Sequence, residues 1–206
     1  MSQTYLWQDV DDPSLFNRAC VAVDEVAMSA QGVQNCDWYR AQWSLTTNEW
    51  VTRELAVQVA GDGWSRSLVL RRDDSGSWTA NTSQNGVPPR ALSSPGIADG
   101  VDLTGALDCD LGRCPLTNTM PIRRLGLLER HVPSTPLVMA WVDMPSLQVI
   151  ASDQYYASHD ATTVSYSSST RNVDVLLSVD TDGVVLNYPN LARRLETARV
   201  SGTQDT

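Results

Sequence analysis

The sequence predicts an all-β, mostly antiparallel protein with little helix. Runs of β-branched and aromatic residues are short and are punctuated by Gly, Asp, Asn, Ser and Pro. Apolar residues rarely recur every 3 to 4 positions over the ten or more residues that a helix would need. Three segments combine Asp with Gly between strand-like runs, where Gly supplies the positive φ of a tight hairpin.

Taken along the chain, the first clear strand is Glu54 to Val59. Its alternation places Leu55, Val57 and Val59 on one face. Hairpin turns are expected at Gly61-Asp62-Gly63 and Asp73-Asp74-Ser75-Gly76, and a third at Asp180-Thr181-Asp182-Gly183. Ser, Pro and Gly between Asn81 and Gly105 predict a long connection inside one domain. Leu107, Cys109 and Leu111 alternate with Asp108 and Asp110, which predicts a strand with one apolar and one acidic face. Helix is expected only at Leu191 to Ala198, with a further turn near Ser14 to Arg18. The run Ser67 to Gly76 echoes Asp174 to Gly183 at an offset of 107 positions, close to half the chain. The expected organisation is therefore one domain over 1–206, with two similar halves at about 1–104 and 105–198 and a flexible tail at 199–206.

Composition limits the function. Hydrophobic residues make up 42% and charged residues 19%, a mixture that can build a core without disulfides or metal. The net charge is −9 and every basic side chain is an arginine, which argues against nucleic acid and anionic membrane surfaces as partners. The lack of lysine beside abundant Ala, Val and Asp suggests a GC-rich bacterial gene. No basic segment leads into an apolar run at the start, and no apolar stretch is long enough to span a bilayer, so cytoplasmic residence is expected and membrane insertion is not. Cys20, Cys36, Cys109 and Cys114 are then read as thiols. Oligomeric state is left open.

Familiar chemistry is missing. The chain has two histidines, His131 and His159, and no Gly-x-Ser-x-Gly elbow. It lacks Cys-x-x-Cys and His-x-x-x-His pairs, so no metal is expected. The twelfth position counted from Asp180 is Leu191, where a calcium loop needs glutamate. Phosphate-cradling glycine motifs are absent and no cofactor is expected. His159-Asp160 is read as a solvated pair.

The informative block runs from Gly105 to Leu127. Asp108 and Asp110 share a strand face, and Arg113, Arg123 and Arg124 are near enough in sequence to meet them across a returning strand. Between them, Pro115 and Pro121 stiffen a loop that carries Thr117, Asn118 and Thr119. Two readings stand. The carboxylates and guanidinium groups pin one layer to the next, or they form the polar end of an apolar pocket.

The segments Gly105-Ala106-Leu107-Asp108-Cys109-Asp110-Leu111 and Cys114 to Leu125, with its Thr-Asn-Thr-x-Pro-Ile-Arg-Arg-Leu run, resemble the signature of the putative glycolipid-binding family, formerly a domain of unknown function. Pro145-Ser146-Leu147, Gln154-Tyr155 and Val179 to Val185 running into Tyr188-Pro189 are similar to its C-terminal half. Trp64, Gly76 and Trp78 fit the N-terminal half. The resemblance implies a spiral β-roll of two similar units enclosing an apolar cavity, and an apolar or amphipathic, glycolipid-like ligand. Asp108, Asp110, Thr117, Asn118, Arg123 and Arg124 would hold the polar end, and Trp64, Trp78, Trp141, Tyr155 and Tyr188 would line the cavity or pack the core. The chain departs from the family pattern at Ala106, Cys109 and Cys114, where its cysteines have moved and a threonine hydroxyl is lost. Two rivals remain. One is a cavity enzyme, a cyclase or isomerase using Asp108 or Asp110 as acid or base. The other is a structural or partner-binding roll.

Overall fold

A computed structural model describes residues 2–196. Seven strands alternate up and down through the first half: β1 (Ser2–Asp9), β2 (Phe16–Val23), β3 (Met28–Asn35), β4 (Arg40–Asn48), β5 (Val51–Gly61), β6 (Trp64–Arg72) and β7 (Trp78–Gly86). The rest of the chain supplies β8 (Gly96–Ile97), β9 (Asp108–Leu111), the helix α1 (Thr119–Leu125), β10 (Thr135–Val142), β11 (Gln148–Asp160), β12 (Thr163–Ser168), β13 (Val173–Val179), β14 (Val185–Tyr188) and β15 (Ala192–Arg194).

All fifteen strands belong to one open sheet in the order β7-β6-β5-β4-β3-β2-β1-β15-β14-β13-β12-β11-β10-β9, with β8 beside β11. Pairing is antiparallel except for β9 with β10 and β8 with β11. The sheet is consistent with a β-roll. Within the sheet, the first and second halves are joined where β1 pairs β15, Trp7 opposite Arg194 and Asp9 opposite Ala192. Each expected Asp/Gly turn closes a hairpin: β5 to β6, β6 to β7 and β13 to β14. Leu55, Val57 and Val59 are buried as their alternation requires.

Four local expectations change. Leu191 to Ala198 is not a helix over its described part, because Ala192–Arg194 is strand β15; the remainder, and the tail at 199–206, lie outside the described residues. Tertiary pairing with β1 overrides the local helical preference of Leu-Ala-Arg-Arg-Leu. Near Ser14 the chain turns, but strand β2 already begins at Phe16. The long connection starts later than expected, since Asn81 to Gly86 completes β7. And β9 is buried on both faces, so the acidic face of Asp108 and Asp110 does not meet solvent.

The reason lies in what fills the roll. Leu103, Ala106, Cys109, Leu111, Cys114, Leu116 and Met120 pack with the first half of the sheet, while Ile122 and Leu127 pack with Tyr156, Tyr166 and Leu177 of the second. One continuous segment therefore occupies the interior and touches both halves. It includes the unanticipated helix: Pro121 sits in the first turn, where its missing N–H costs nothing, Arg123 and Arg124 occupy the last turn, and Gly126 ends it at φ 64°.

Candidate functional site

The interior segment is held by side chains from both halves. From the first half, Gln34 donates to the Gly112 carbonyl at 3.0 Å and Asn17 to the Arg113 carbonyl at 2.7 Å. The Cys109 amide donates to the Thr52 hydroxyl at 2.9 Å, and the Thr52 amide to the Leu107 carbonyl at 3.1 Å. The β4 to β5 hairpin tip also docks here. Glu49 and Trp50 both sit at positive φ, 53° and 59°, a conformation that strains residues with a Cβ. It is held because the Trp50 amide donates to the Val26 carbonyl at 3.0 Å and the Trp50 carbonyl accepts Arg124 at 3.0 Å.

Asp108 and Asp110 lie in separate clusters. Asp108 is 1% exposed, and its Oδ1 accepts Arg124 Nη1 at 2.5 Å. Among the described residues its Oδ2 has no partner, nor has Arg124 Nη2. Burial pushes the Asp108 carboxyl above its ordinary value against the opposing pull of Arg124. A carboxyl raised on folding contributes stability below the ordinary carboxylate range and loses it as pH rises through the folded value. The stability difference between wild type and Asp108→Asn, from urea titrations, is therefore expected to move against the wild type as pH rises from about 4. A difference that stayed flat or moved the other way would show that Arg124 dominates.

Asp110 belongs to the second half. Thr117 Oγ1 donates to its Oδ1 at 2.8 Å, Gln154 Nε2 to its Oδ2 at 2.7 Å, and Arg171 Nη2 lies 3.3 Å from the same oxygen. Tyr156 continues the network by donating to Asn118 Oδ1 at 2.8 Å. Arg171 also donates to the Tyr166 hydroxyl and lies over the Trp141 ring at 5.6 Å. Burial raises the Tyr156 and Tyr166 hydroxyls, and that of Tyr188 to about 12, so all three are neutral donors at physiological pH.

The structure thus brings Asp110, Thr117 and Asn118 together, with Thr117 and Asn118 in a 3-10 turn at Pro115–Asn118, and joins Asp108 to Arg124. Arg123 lies apart, over Trp50 at 5.1 Å and 3.8 Å from Glu129. Arg113 turns to Asp9 at 2.9 Å. Tyr188 packs edge-on against Tyr166 within the second core cluster. Trp64 is buried over Gly61, distant in the sheet from the carboxylates. Trp78 donates its indole N–H to the Ala106 carbonyl at 3.0 Å. The sequence reading missed Arg171, Gln154 as the partner of Asp110, and Tyr156. Gln154 was within its reach, since a glutamine at an inward strand position must find a buried partner.

Two concavities flank Gly105. One, of about 210 Å³, is lined by Leu107, Arg124, Pro136, Leu137, Val138, Asp153 and Tyr155. The other, of about 520 Å³, is lined by Arg72, Trp78, Ile97, Val101 and Leu103 among others. Both set apolar walls beside a guanidinium group. Among the described residues no His, Cys, Asp and Glu cluster suits a metal ion, and no helix is long and apolar enough to cross a membrane.

Comparison with known proteins gives a consistent result. The family described as "Putative glycolipid-binding" matches residues 4–194. A crystal structure of a DUF1089 family protein from Pseudomonas aeruginosa is similar with a TM-score of 0.65 and 25% identity, covering 87% of this chain and 92% of that one. No curated protein matches the chain.

Proposed function

The chain belongs to the family described as "Putative glycolipid-binding", and from that premise we propose that it binds an apolar or amphipathic, glycolipid-like small molecule at the groove beside Arg124. One observation carries the reading. Leu107, Pro136, Leu137 and Val138 form an apolar wall facing Arg124, Asp153 and a 40% exposed Tyr155. Apolar walls with a few polar groups at one end are the usual form of such sites. The groove suits one end of a ligand, and the larger concavity across Gly105, with Trp78 and Ile97 on its wall, would take the rest.

In this reading Asp108 acts through Arg124, holding the guanidinium at the polar end of the groove. Asp110, Thr117 and Asn118 stiffen the floor. The ion pairs favour this role over acid/base chemistry, because each carboxylate already has a cationic partner. Cytoplasmic residence accords with four free cysteines, of which Cys20 and Cys36 are partly exposed.

Octyl glucoside, titrated below its micelle concentration, tests the proposal. Backbone amide resonances of Leu137 and Val138 are expected to shift, and Tyr155→Ala to weaken binding about tenfold by removing an aromatic wall. Unshifted resonances, or equal affinity in the variant, would remove this groove from consideration.

A further inference from the structure

An open sheet has two edges, and this sheet treats them differently. The edge at β9 is closed from within the chain: the Cys109 amide donates to the Thr52 hydroxyl at 2.9 Å, and the Leu107 carbonyl accepts the Thr52 amide at 3.1 Å. The edge at β7 is left bare. In the hairpin from β6 to β7 the Asp73 amide donates to the Ser77 carbonyl at 3.0 Å, which sets the alternation along the ladder. Thr79, Asn81, Ser83 and Asn85 therefore bond to β6, while Trp78, Ala80, Thr82 and Gln84 turn their amides and carbonyls outward. Among the described residues no backbone group meets those outward groups, and every residue from Asn81 to Gly86 is exposed.

Long bare edges template the addition of another strand, and proteins that stay single blunt them with charge, proline or a bulge. β7 has none of these. Its residues, Trp78–Gly86, include no charged side chain and no proline, and its register with β6 runs without a shift. The charges lie beyond its ends. Asp74 stands as far before Trp78 as Arg90 stands after Gly86, and both are exposed. A second copy running antiparallel, with Thr82 opposite Thr82, sets Asp74 of each copy opposite Arg90 of the other. The same register sets Trp78 opposite Gly86, which has no side chain to crowd the indole. It also covers Val87, at 85% the most exposed large hydrophobic residue among the described residues, by placing it opposite Ser77.

We propose that β7 pairs with β7 of a second copy of this chain, antiparallel and centred on Thr82, so that a two-fold dimer carries one continuous sheet. A second copy suits this edge better than a foreign strand, because the pattern is self-complementary: neutral through the middle, acidic beyond one end and basic beyond the other. It also answers the repulsion between two chains of net charge −9, which meet here along a strip without carboxylates. In the central pairs, Ala80 with Gln84 and Thr82 with Thr82, the two residues exchange both backbone hydrogen bonds. Ser75, Gly76 and Ser77, on the rim of the larger concavity, then lie beside residues 87–90 of the second copy. The pairing does not depend on what that concavity binds. A contact along one edge buries little surface, so weak association is expected, with Kd in the micromolar range.

Sedimentation equilibrium of the whole protein, from about 1 µM to about 1 mM, tests the dimer. The average mass is expected to rise towards that of two chains. Hydrogen exchange locates the contact. Between the dilute and the concentrated ends the amides of Ala80, Thr82 and Gln84 should slow about tenfold, whereas those of Asn81 and Ser83, already bonded to β6, should not change. Asn81 of one copy faces Ser83 of the other, so Asn81→Glu/Ser83→Glu and Asn81→Lys/Ser83→Lys each set like charges against each other and should stay single. Mixed in equal amounts, the two variants should pair, which a folding defect in either would prevent. The proposal is overturned if the wild type stays single throughout, if it dimerises without slowing the three outward amides, or if the two variants associate no more tightly mixed than alone.

Discussion

Asp110→Ala is expected to lower stability by about 3–5 kcal/mol, which for a chain of this size is a fall of roughly 6–20 °C in Tm. The carboxylate accepts from Thr117 and Gln154 and faces Arg171, a side chain only 19% exposed. Removing it leaves a guanidinium group and an amide without their shared acceptor. Among the described residues Arg171 Nε already lacks a partner, so the cluster has no spare acceptor to offer. Breaking one side of a buried ion pair costs more than replacing both sides with apolar groups. The double variant Asp110→Ala/Arg171→Met should therefore lose less than Asp110→Ala alone, as measured by thermal unfolding at neutral pH. If the single variant unfolds within a few degrees of the wild type, Asp110 does not organise the second half.

The importance of this cluster was only half legible in the sequence. Strand pattern and Asp/Gly turn chemistry are local, and they located the three hairpins and the inward face of β5 correctly. The pairing of Asp108 with Arg124 was foreseen from proximity in sequence, though through a helix rather than a returning strand. Its signals were present in Pro121, Arg123, Arg124 and Gly126, but seven residues give too short a period to detect. Arg171 was not foreseeable, because the turn beside it meets Asp110 only after β9 to β12 have assembled. The helix expected at Leu191 failed for the same reason, since a strand partner 183 or more residues away is invisible to local propensity.

The seam where the two halves join leads to the second large effect. Trp7 is fully buried in β1, stacks on Tyr5 at 5.7 Å and donates its indole N–H to the Val185 carbonyl at 2.7 Å. It stands opposite Arg194, and Leu195 donates to the Leu6 carbonyl at 2.7 Å to extend the same junction. Trp7→Ala is expected to cost about 3–5 kcal/mol through the cavity it leaves. Trp7→Phe should cost less, about 1–3 kcal/mol, chiefly by leaving the Val185 carbonyl without its donor. Urea unfolding followed by fluorescence and by far-ultraviolet circular dichroism measures both. The two probes are expected to coincide even in Trp7→Ala, because the seam is not the only tie. Gln34, Asn17, Thr52 and Trp50 of the first half hold the interior segment, and the Asp110 cluster holds the same segment to the second half. Separate transitions by the two probes would mean that each half folds without the other and that the interior segment is only a filling. A single transition at lower urea would mean that it couples them, so a ligand seated beside Arg124 would stabilise both halves at once.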